Sequence, residues 1–169
     1  MTQRKLARPP GSTGRSSHLE TTTMDAEVSR TSAGAPSLDA ASLEDASAFL
    51  RVAGLVLDEI TADRVTGHLQ LGPEHHTPWG IVHGGVYTTT IESAASVGAS
   101  HAVRDKGQVA VGLTNTTHFL RSLTAGRVNV EAAALSQGRT QQLWRVDITD
   151  ESGRLIAHGE VRLQNIAGQ

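Results

Sequence analysis

The chain has 169 residues, 38% of them hydrophobic, which suits one domain with a substantial core. Its net charge of −2 gives no general attraction to nucleic acid or membranes, and no apolar run approaches the ~18 residues that span a bilayer. Cysteine is absent, which excludes disulfides, thiolate metal sites and a cysteine nucleophile, and is typical of a reducing compartment such as the cytoplasm.

The N-terminal segment has a different composition from the rest. Residues 1–36 are rich in Ser, Thr, Pro, Gly and Ala and contain no aromatic residue. Such a segment cannot bury enough apolar surface to fold, so we predict a disordered tail. No apolar stretch follows its first basic residues, so a secretory signal is not predicted. Met24 is an alternative to Met1 as the start of the translated chain.

Regular structure is predicted over residues 42–166. Ser42 is a candidate N-cap with acidic residues in the turn after it, which predicts a short helix ending near Ala53. Residues 54–61 and 64–71 then predict a hairpin, because the second segment alternates apolar and polar side chains.

A long helix is predicted from about Gly84 to Val103. It is unusually rich in Ala, Ser and Gly, and such small side chains let a sheet or a second helix approach closely. Four strand candidates follow, with a turn at residues 150–153 joining the last two: 108–120, 127–136, 140–149 and 155–166. In the third of these, alternation places Trp144, Val146 and Ile148 on one face. The order of elements predicts an α+β domain in which one antiparallel sheet wraps around a central helix.

The start of the long helix carries the strongest chemical signal. Gly84 and Gly85 leave backbone N–H groups uncovered by any Cβ, and the helix dipole favours a carbonyl oxygen that gains negative charge there. Glu92, two turns downstream among uncharged neighbours, is a candidate nucleophile or general base. Together these groups suit the cleavage of an activated acyl group such as a thioester.

The spacing of these groups predicts an assembly. Gly84 and Glu92 are eight residues apart, so their Cα atoms lie ~12 Å apart along the helix axis. The glutamate side chain leans towards the helix N-terminus but does not close this gap. If both groups act on one bond, they come from two antiparallel helices, and the active site is shared in a symmetric dimer.

The chain resembles the hotdog-fold acyl-CoA thioesterases of the phenylacetate-pathway type, which include 4-hydroxybenzoyl-CoA and 1,4-dihydroxy-2-naphthoyl-CoA thioesterases. The resemblance covers about residues 48–166. It rests on the order and spacing of WGIVHGG (79–85), ESAAS (92–96), VGLTN (111–115), FLR (119–121), GRV (126–128) and DESGRL (150–155).

The resemblance implies a dimer, often paired back-to-back into a tetramer, that acts on acyl-CoA without a cofactor. The Gly84 N–H then polarises the thioester carbonyl, and Glu92 of the facing subunit attacks it or activates water. Ser96, one turn after Glu92, orients that water or contacts the acyl group, with a role in core packing as the alternative. His83 is expected to shape the thioester end of the pocket as an orienting group.

Further substrate contacts are expected by the same resemblance. Gly85 belongs to the helix start, and Arg121, Arg139 and Thr140 fall where relatives hold the nucleotide and phosphate part of coenzyme A. Relatives often have Gln where Thr77 stands, and the shorter Thr77 side chain puts the rate and substrate choice in doubt more than the reaction class.

Two other interpretations of single residues are disfavoured. His75, His76 and His83 suggest a metal site, but no acidic residue joins them at ligand spacing, and the first two are expected in an exposed loop. No metal is therefore expected. Trp79 and Trp144 are interpreted as packing residues rather than as platforms for the acyl group.

Three other functions remain open. A hotdog dehydratase or hydratase would pair a histidine with an acidic residue, but the two glycines after His83 favour the thioesterase. An acyl-CoA sensor that controls DNA binding needs a helix-turn-helix module, which residues 1–47 do not predict. A non-catalytic domain that binds acyl-CoA is the third alternative. Neither nucleic acid nor a membrane is an expected partner.

Overall fold

The computed structural model describes residues 47–168. The helices are α1 (Ala48–Ala53) and α2 (Gly84–Val103), and 3₁₀ turns span Pro73–His75 and Arg104–Lys106. The strands are β1 (Val56–Ile60), β2 (Arg64–Leu71), β3 (Gln108–Phe119), β4 (Gly126–Gln137), β5 (Gln141–Asp150) and β6 (Leu155–Ala167). The tail predicted over residues 1–36 and the predicted cap Ser42 lie outside the described residues.

The six strands form one antiparallel sheet in the order β1-β2-β4-β5-β6-β3. Within the described part of the chain, β1 and β3 are the outer strands and each pairs on one side only. Helix α2 packs against the inner face of this sheet. The predicted α+β architecture, an antiparallel sheet around one long helix, is therefore confirmed, as are both ends of α2.

Helix α1 begins later than the sequence predicts. Ser47 is the N-cap, in extended backbone with φ −143° and ψ 117°, and its side chain accepts a hydrogen bond from Leu50 N at 3.4 Å. Extended backbone at Ser47 interrupts a helical path, so the predicted start at Ser42 is wrong. The helix ends at Gly54, whose φ of +75° is the left-handed conformation that glycine adopts without strain.

The inner face of the sheet forms the core with α2. Trp144, Val146 and Ile148 are fully buried on β5, as the alternation predicted. The same alternation on the neighbouring strands buries Val65, Leu69, Leu71, Val128, Val130, Val161 and Leu163. In β2, β4, β5 and β6, every second side chain therefore belongs to one layer, which α2 covers.

Two glycines bring the helix unusually close to the sheet. A Cβ added to Gly98 on α2 would lie 2.5 Å from Cη2 of Trp144 and 2.9 Å from a methyl of Val65. A Cβ added to Gly159 on β6 would lie 2.8 Å from Ile91 of the helix. Real side chains do not approach this closely, so these two glycines set the depth at which α2 lies.

Strand β3 contains a bulge that reverses its alternation. Gly112 pairs with Leu163, but the next pair joins Thr114 to Arg162, so one residue of β3 is unmatched. Because successive side chains point to opposite faces, this insertion directs Asn115 to the helix side, the side that Gly112 also faces.

The outer face of the sheet is polar. His158 Nδ1 lies 2.6 Å from Asp147 Oδ1, and His68 Nδ1 lies 3.0 Å from Asp58 Oδ2. Among residues 47–168, no helix is long and apolar enough to cross a membrane.

We predict that Gly98→Ala lowers the free energy of unfolding by about 1–3 kcal/mol, because the added methyl overpacks the contact with Trp144. This outcome opposes the gain of ~1 kcal/mol that Gly→Ala gives in an unconstrained helix. Denaturant unfolding of Gly98→Ala, Trp144→Phe and the double variant checks it. The double variant should be less destabilised than the sum of the two single variants. Stabilisation by Gly98→Ala would contradict the close packing.

Candidate active site

The start of α2 is organised by the side chain of His83. This residue is the N-cap, with φ −68° and ψ 131°, and its Nδ1 accepts a hydrogen bond from Gly85 N at 2.8 Å. Nδ1 is therefore unprotonated while the cap is formed. The Gly84 N–H has no hydrogen-bond partner among the described residues. The sequence offers two glycine amides as donors, and the structure leaves that of Gly84 available.

Phe119, at the end of β3, covers the Cα atom of Gly84. A Cβ on Gly84 would lie 3.0 Å from Cζ of the Phe119 ring, a tight contact that the ring could relieve by shifting a few tenths of an ångström. The Tyr87 ring, one helical turn later, lies 6.5 Å from the Phe119 ring between centroids. Phe119 itself is 57% exposed, whereas Tyr87 is buried. The free amide thus lies beside an aromatic pair.

The loop before α2 is fixed by backbone hydrogen bonds. His83 N donates to His75 O at 2.8 Å, and Val82 N donates to Leu123 O at 2.8 Å. The expectation that His75 lies in an exposed loop is wrong. Its ring is buried because it packs against Gly54 at the end of α1, with Nδ1 accepting from Gly72 N. Within residues 47–168, no three His, Cys, Asp or Glu side chains are grouped as metal ligands.

Thr77 and Trp79 belong to a turn in this loop. Thr77 Oγ1 accepts from Trp79 N at 3.3 Å, and Thr77 N donates to Ile81 O at 2.8 Å. The Thr77 side chain therefore organises the turn. Trp79 is 83% exposed, so its interpretation as a packing residue is wrong within one chain, because the turn carries it away from the core.

Glu92 lies in the middle of α2 and is half-buried. Its Oε2 accepts a hydrogen bond from Asn115 Nδ2 at 3.0 Å. Its Oε1 lies so close to Gly112 that a Cβ there would be 2.3 Å away. No role of Asn115 is predicted from the sequence, because the direction of its side chain depends on the β3 bulge, although the residue ends one of the segments that carry the resemblance.

One chain does not bring Gly84 and Glu92 together. They lie ~12 Å apart along α2. Their contacts on β3, Phe119 and Asn115, are four residues apart, or ~13 Å along the strand. Ser96 follows Glu92 by one turn and is half-buried, and its hydroxyl has no hydrogen-bond partner among the described residues.

The predicted coenzyme A contacts are also separated. The Arg121 guanidinium donates to Leu155 O, at the start of β6. The carbonyl groups of Arg139 and Thr140 accept from Asn165, near the end of the same strand. Leu155 and Asn165 are ten residues apart, ~33 Å along β6. Within one chain, Arg121 and the Arg139–Thr140 turn therefore lie at opposite ends of the sheet.

Among the concave surfaces formed by the described residues, two are not lined by Glu92. The larger, about 410 Å³, is on the polar face of the sheet, between Arg64, Asn129 and Asp147. The other, about 260 Å³, adjoins the loop before α2 and is lined by Leu123 and Arg154 among others. Beside Arg154, hydrogen bonds from Ser152 and from Arg154 itself hold the pKa of Asp150 well below its usual range.

The comparisons identify a family and several relatives. Residues 80–157 match the family described as the Thioesterase superfamily. A Mycobacterium tuberculosis protein named "putative esterase" is 43% identical over 115 residues, covering 67% of this chain and 82% of the relative. Its structure aligns with a TM-score of 0.70 at 41% identity, over 73% of this chain and 99% of that chain.

Two further relatives are named for thioester chemistry. The 1,4-dihydroxy-2-naphthoyl-CoA hydrolase of Listeria monocytogenes is 31% identical over 103 residues, covering 61% of this chain and 83% of the relative. A thioesterase structure from Haemophilus influenzae aligns with a TM-score of 0.69 at 26% identity, covering 75% of this chain and 87% of that chain.

We predict a pH-dependent loss of stability that depends on Tyr87, the single tyrosine of the chain. Burial raises its pKa from 10.0 to about 12, and its hydroxyl has no hydrogen-bond partner among the described residues. Between these pH values the unfolded chain releases the phenolic proton and the folded chain keeps it. Stability should therefore fall, by at most about 1.4 kcal/mol per pH unit.

Tyr87→Phe provides the control, because it keeps the ring and removes the titrating group. Denaturant unfolding from pH 9 to 12 should show a shallower decline for the variant, and about 1 kcal/mol more stability at pH 7. Tyrosinate absorbance follows the titration directly. Equal slopes for both proteins would contradict the prediction.

Proposed function

Because this chain belongs to the thioesterase superfamily and has the hotdog fold of those enzymes, we propose that it hydrolyses coenzyme A thioesters of aryl or medium-chain acids. The products are the free acid and coenzyme A. The observation that carries the proposal is that α2 holds both an amide at Gly84 that is available as a donor and a half-buried carboxylate at Glu92. The names of the Listeria and Haemophilus relatives support the reaction class.

The Gly84 amide polarises the thioester carbonyl. The carbonyl oxygen accepts a hydrogen bond from Gly84 N–H, where the positive end of the α2 dipole favours the charge that develops during attack. His83 occupies the neighbouring Gly85 amide, which fixes the backbone of this first turn. His83 therefore acts as an orienting group.

Glu92 supplies the carboxylate in one of two ways. It attacks the acyl carbon, displacing the coenzyme A thiolate and leaving an anhydride that water hydrolyses. Alternatively it takes a proton from water, whose oxygen attacks the same carbon while the thiolate leaves. Ser96 has an uncommitted hydroxyl one turn away and is suited to orient that water.

The active site is shared between two subunits of an antiparallel dimer. The distance of ~12 Å between Gly84 and Glu92 in one chain favours this arrangement. A set of exposed apolar side chains also surrounds the helix start and the outer strand: Trp79, Ile81, Val111, Leu113, Phe119 and Leu120. A second copy would cover this surface, which is costly to leave in water. Back-to-back pairing into a tetramer is the further expectation of the resemblance.

Coenzyme A then contacts both subunits. Antiparallel pairing of α2 reverses the sheet of the partner, so its Arg139–Thr140 end lies at the same end as Arg121. Guanidinium groups at these positions suit the phosphates of the nucleotide. Thr77 and Gly85 remain proposed neighbours of the thioester end. Thiol release from benzoyl, phenylacetyl, naphthoyl and aliphatic thioesters would identify the acyl group.

We predict that Glu92→Gln lowers thioester hydrolysis ~100- to 10,000-fold, because the amide can neither attack nor accept a proton. The dimer and the thermal midpoint should be retained. Glu131→Gln, on the exposed outer face of β4, is the matched control and should keep wild-type turnover. Thiol release is measured alongside enoyl absorbance. Undiminished hydrolysis by Glu92→Gln would contradict the mechanism. Enoyl formation without thiol release would indicate a dehydratase.

A complementation experiment tests the shared site. Gly84→Pro removes the amide N–H at a helix position that accepts proline, whereas Gly84→Ala adds a similar bulk against Phe119 and keeps the N–H. Gly84→Pro and Glu92→Gln should each be inactive alone. After denaturation and refolding together in equal amounts, about a quarter of wild-type activity should return, because half the dimers then contain one intact site. No recovery would place both groups in the same subunit, provided that mixed dimers form.

A further inference from the structure

Asn115 contacts the carboxylate on which the proposed function depends. Asn115 Nδ2 donates to Glu92 Oε2 at 3.0 Å and to Thr88 O, one turn earlier on α2, at 3.2 Å. Both contacts require the amide nitrogen, because both partners are acceptors. Thr117 Oγ1 donates to Asn115 Oδ1 at 2.8 Å, which fixes the orientation of the amide.

The second oxygen of Glu92 is held against the backbone of Gly112. No hydrogen bond to Oε1 is formed within residues 47–168, and a side chain at Gly112 would occupy its place. The β3 bulge allows this arrangement, because it turns both Gly112 and Asn115 towards α2. Oε2 of Glu92 therefore accepts a hydrogen bond from the Asn115 amide, whereas Oε1 accepts none from the described residues.

We propose that Asn115 is a positioning residue that fixes the orientation of the Glu92 carboxylate and aims Oε1 at the acyl carbon or at the attacking water. This proposal rests on the proposed function of Glu92. Thr117 acts through Asn115, because the hydrogen bond from the Thr117 hydroxyl to Oδ1 prevents a flip of the Asn115 amide.

Asn115→Asp tests the proposal with little change in shape. The substitution replaces the amide donor with a second carboxyl group within hydrogen-bond distance of Glu92. Two carboxyl groups this close repel each other when both are ionised, so they share a proton. The acidic limb of the pH profile of kcat/KM should shift upward by about one pH unit or more. At neutral pH kcat should fall ~10- to 100-fold, with a smaller change in KM. Asn129→Asp, on the exposed outer face of β4, is the matched control and should leave the profile unchanged.

A second pair of variants separates positioning from folding. Thr117→Val keeps the shape and removes the hydroxyl, so kcat should fall several-fold without a shift of the thermal midpoint. Thr117→Ser retains the hydroxyl that donates to Asn115 and should keep the wild-type kcat. Wild-type kcat and an unshifted pH profile in Asn115→Asp would overturn the proposal, as would equal activity of Thr117→Val and Thr117→Ser.

The two proposals fail differently. If Glu92→Gln is inactive while Asn115→Asp behaves as wild type, the role of Asn115 is wrong and the proposed function stands. If Glu92→Gln is active, the proposed function itself fails.

Discussion

The close packing of α2 on the sheet determines the rest of the structure. Gly98 against Trp144 and Gly159 against Ile91 let the helix lie closer than ordinary side chains would allow. At this depth the helix start lies under Phe119, and the middle of the helix lies beside the backbone of Gly112. The positions of both candidate catalytic groups therefore follow from contacts that carry no chemistry of their own.

The candidate site combines a rigid helix with an irregular strand. The helix fixes the amide and the carboxylate at a set separation, since each residue adds ~1.5 Å. The bulge in β3 directs both Gly112 and Asn115 towards the helix. The Asn115 amide and the backbone of Gly112 therefore both contact the Glu92 carboxylate. A regular strand would direct Asn115 to the polar face, away from Glu92.

Much of this arrangement is predictable from local patterns. The bounds of α2 follow from glycines at its start, and the buried face of β5 follows from alternation through Trp144. Gly112 inside β3 is a signal for a bulge or a close backbone approach, but the unmatched residue, Leu113, is compatible with a regular strand, so the sequence does not specify the change of register. The exposure of Trp79 and the burial of His75 depend on how a loop folds over α1 and β3, which residue type alone does not determine. The proposal of a partner subunit follows from the distance between Gly84 and Glu92, whereas the side chains that it would contact do not follow from the sequence.

The outer position of β3 has a consequence for the newly made chain. Among the described residues, one edge of this twelve-residue strand has no neighbouring strand and presents a row of backbone donors and acceptors, with exposed Val111 and Leu113 alongside. Such an edge accepts any extended segment, including those of unfolded neighbours. In the proposed dimer, subunit association would then protect against aggregation as well as complete the active site. A substitution that weakens association would reduce the yield of folded protein in the cell before it altered the chemistry of the molecules that do assemble.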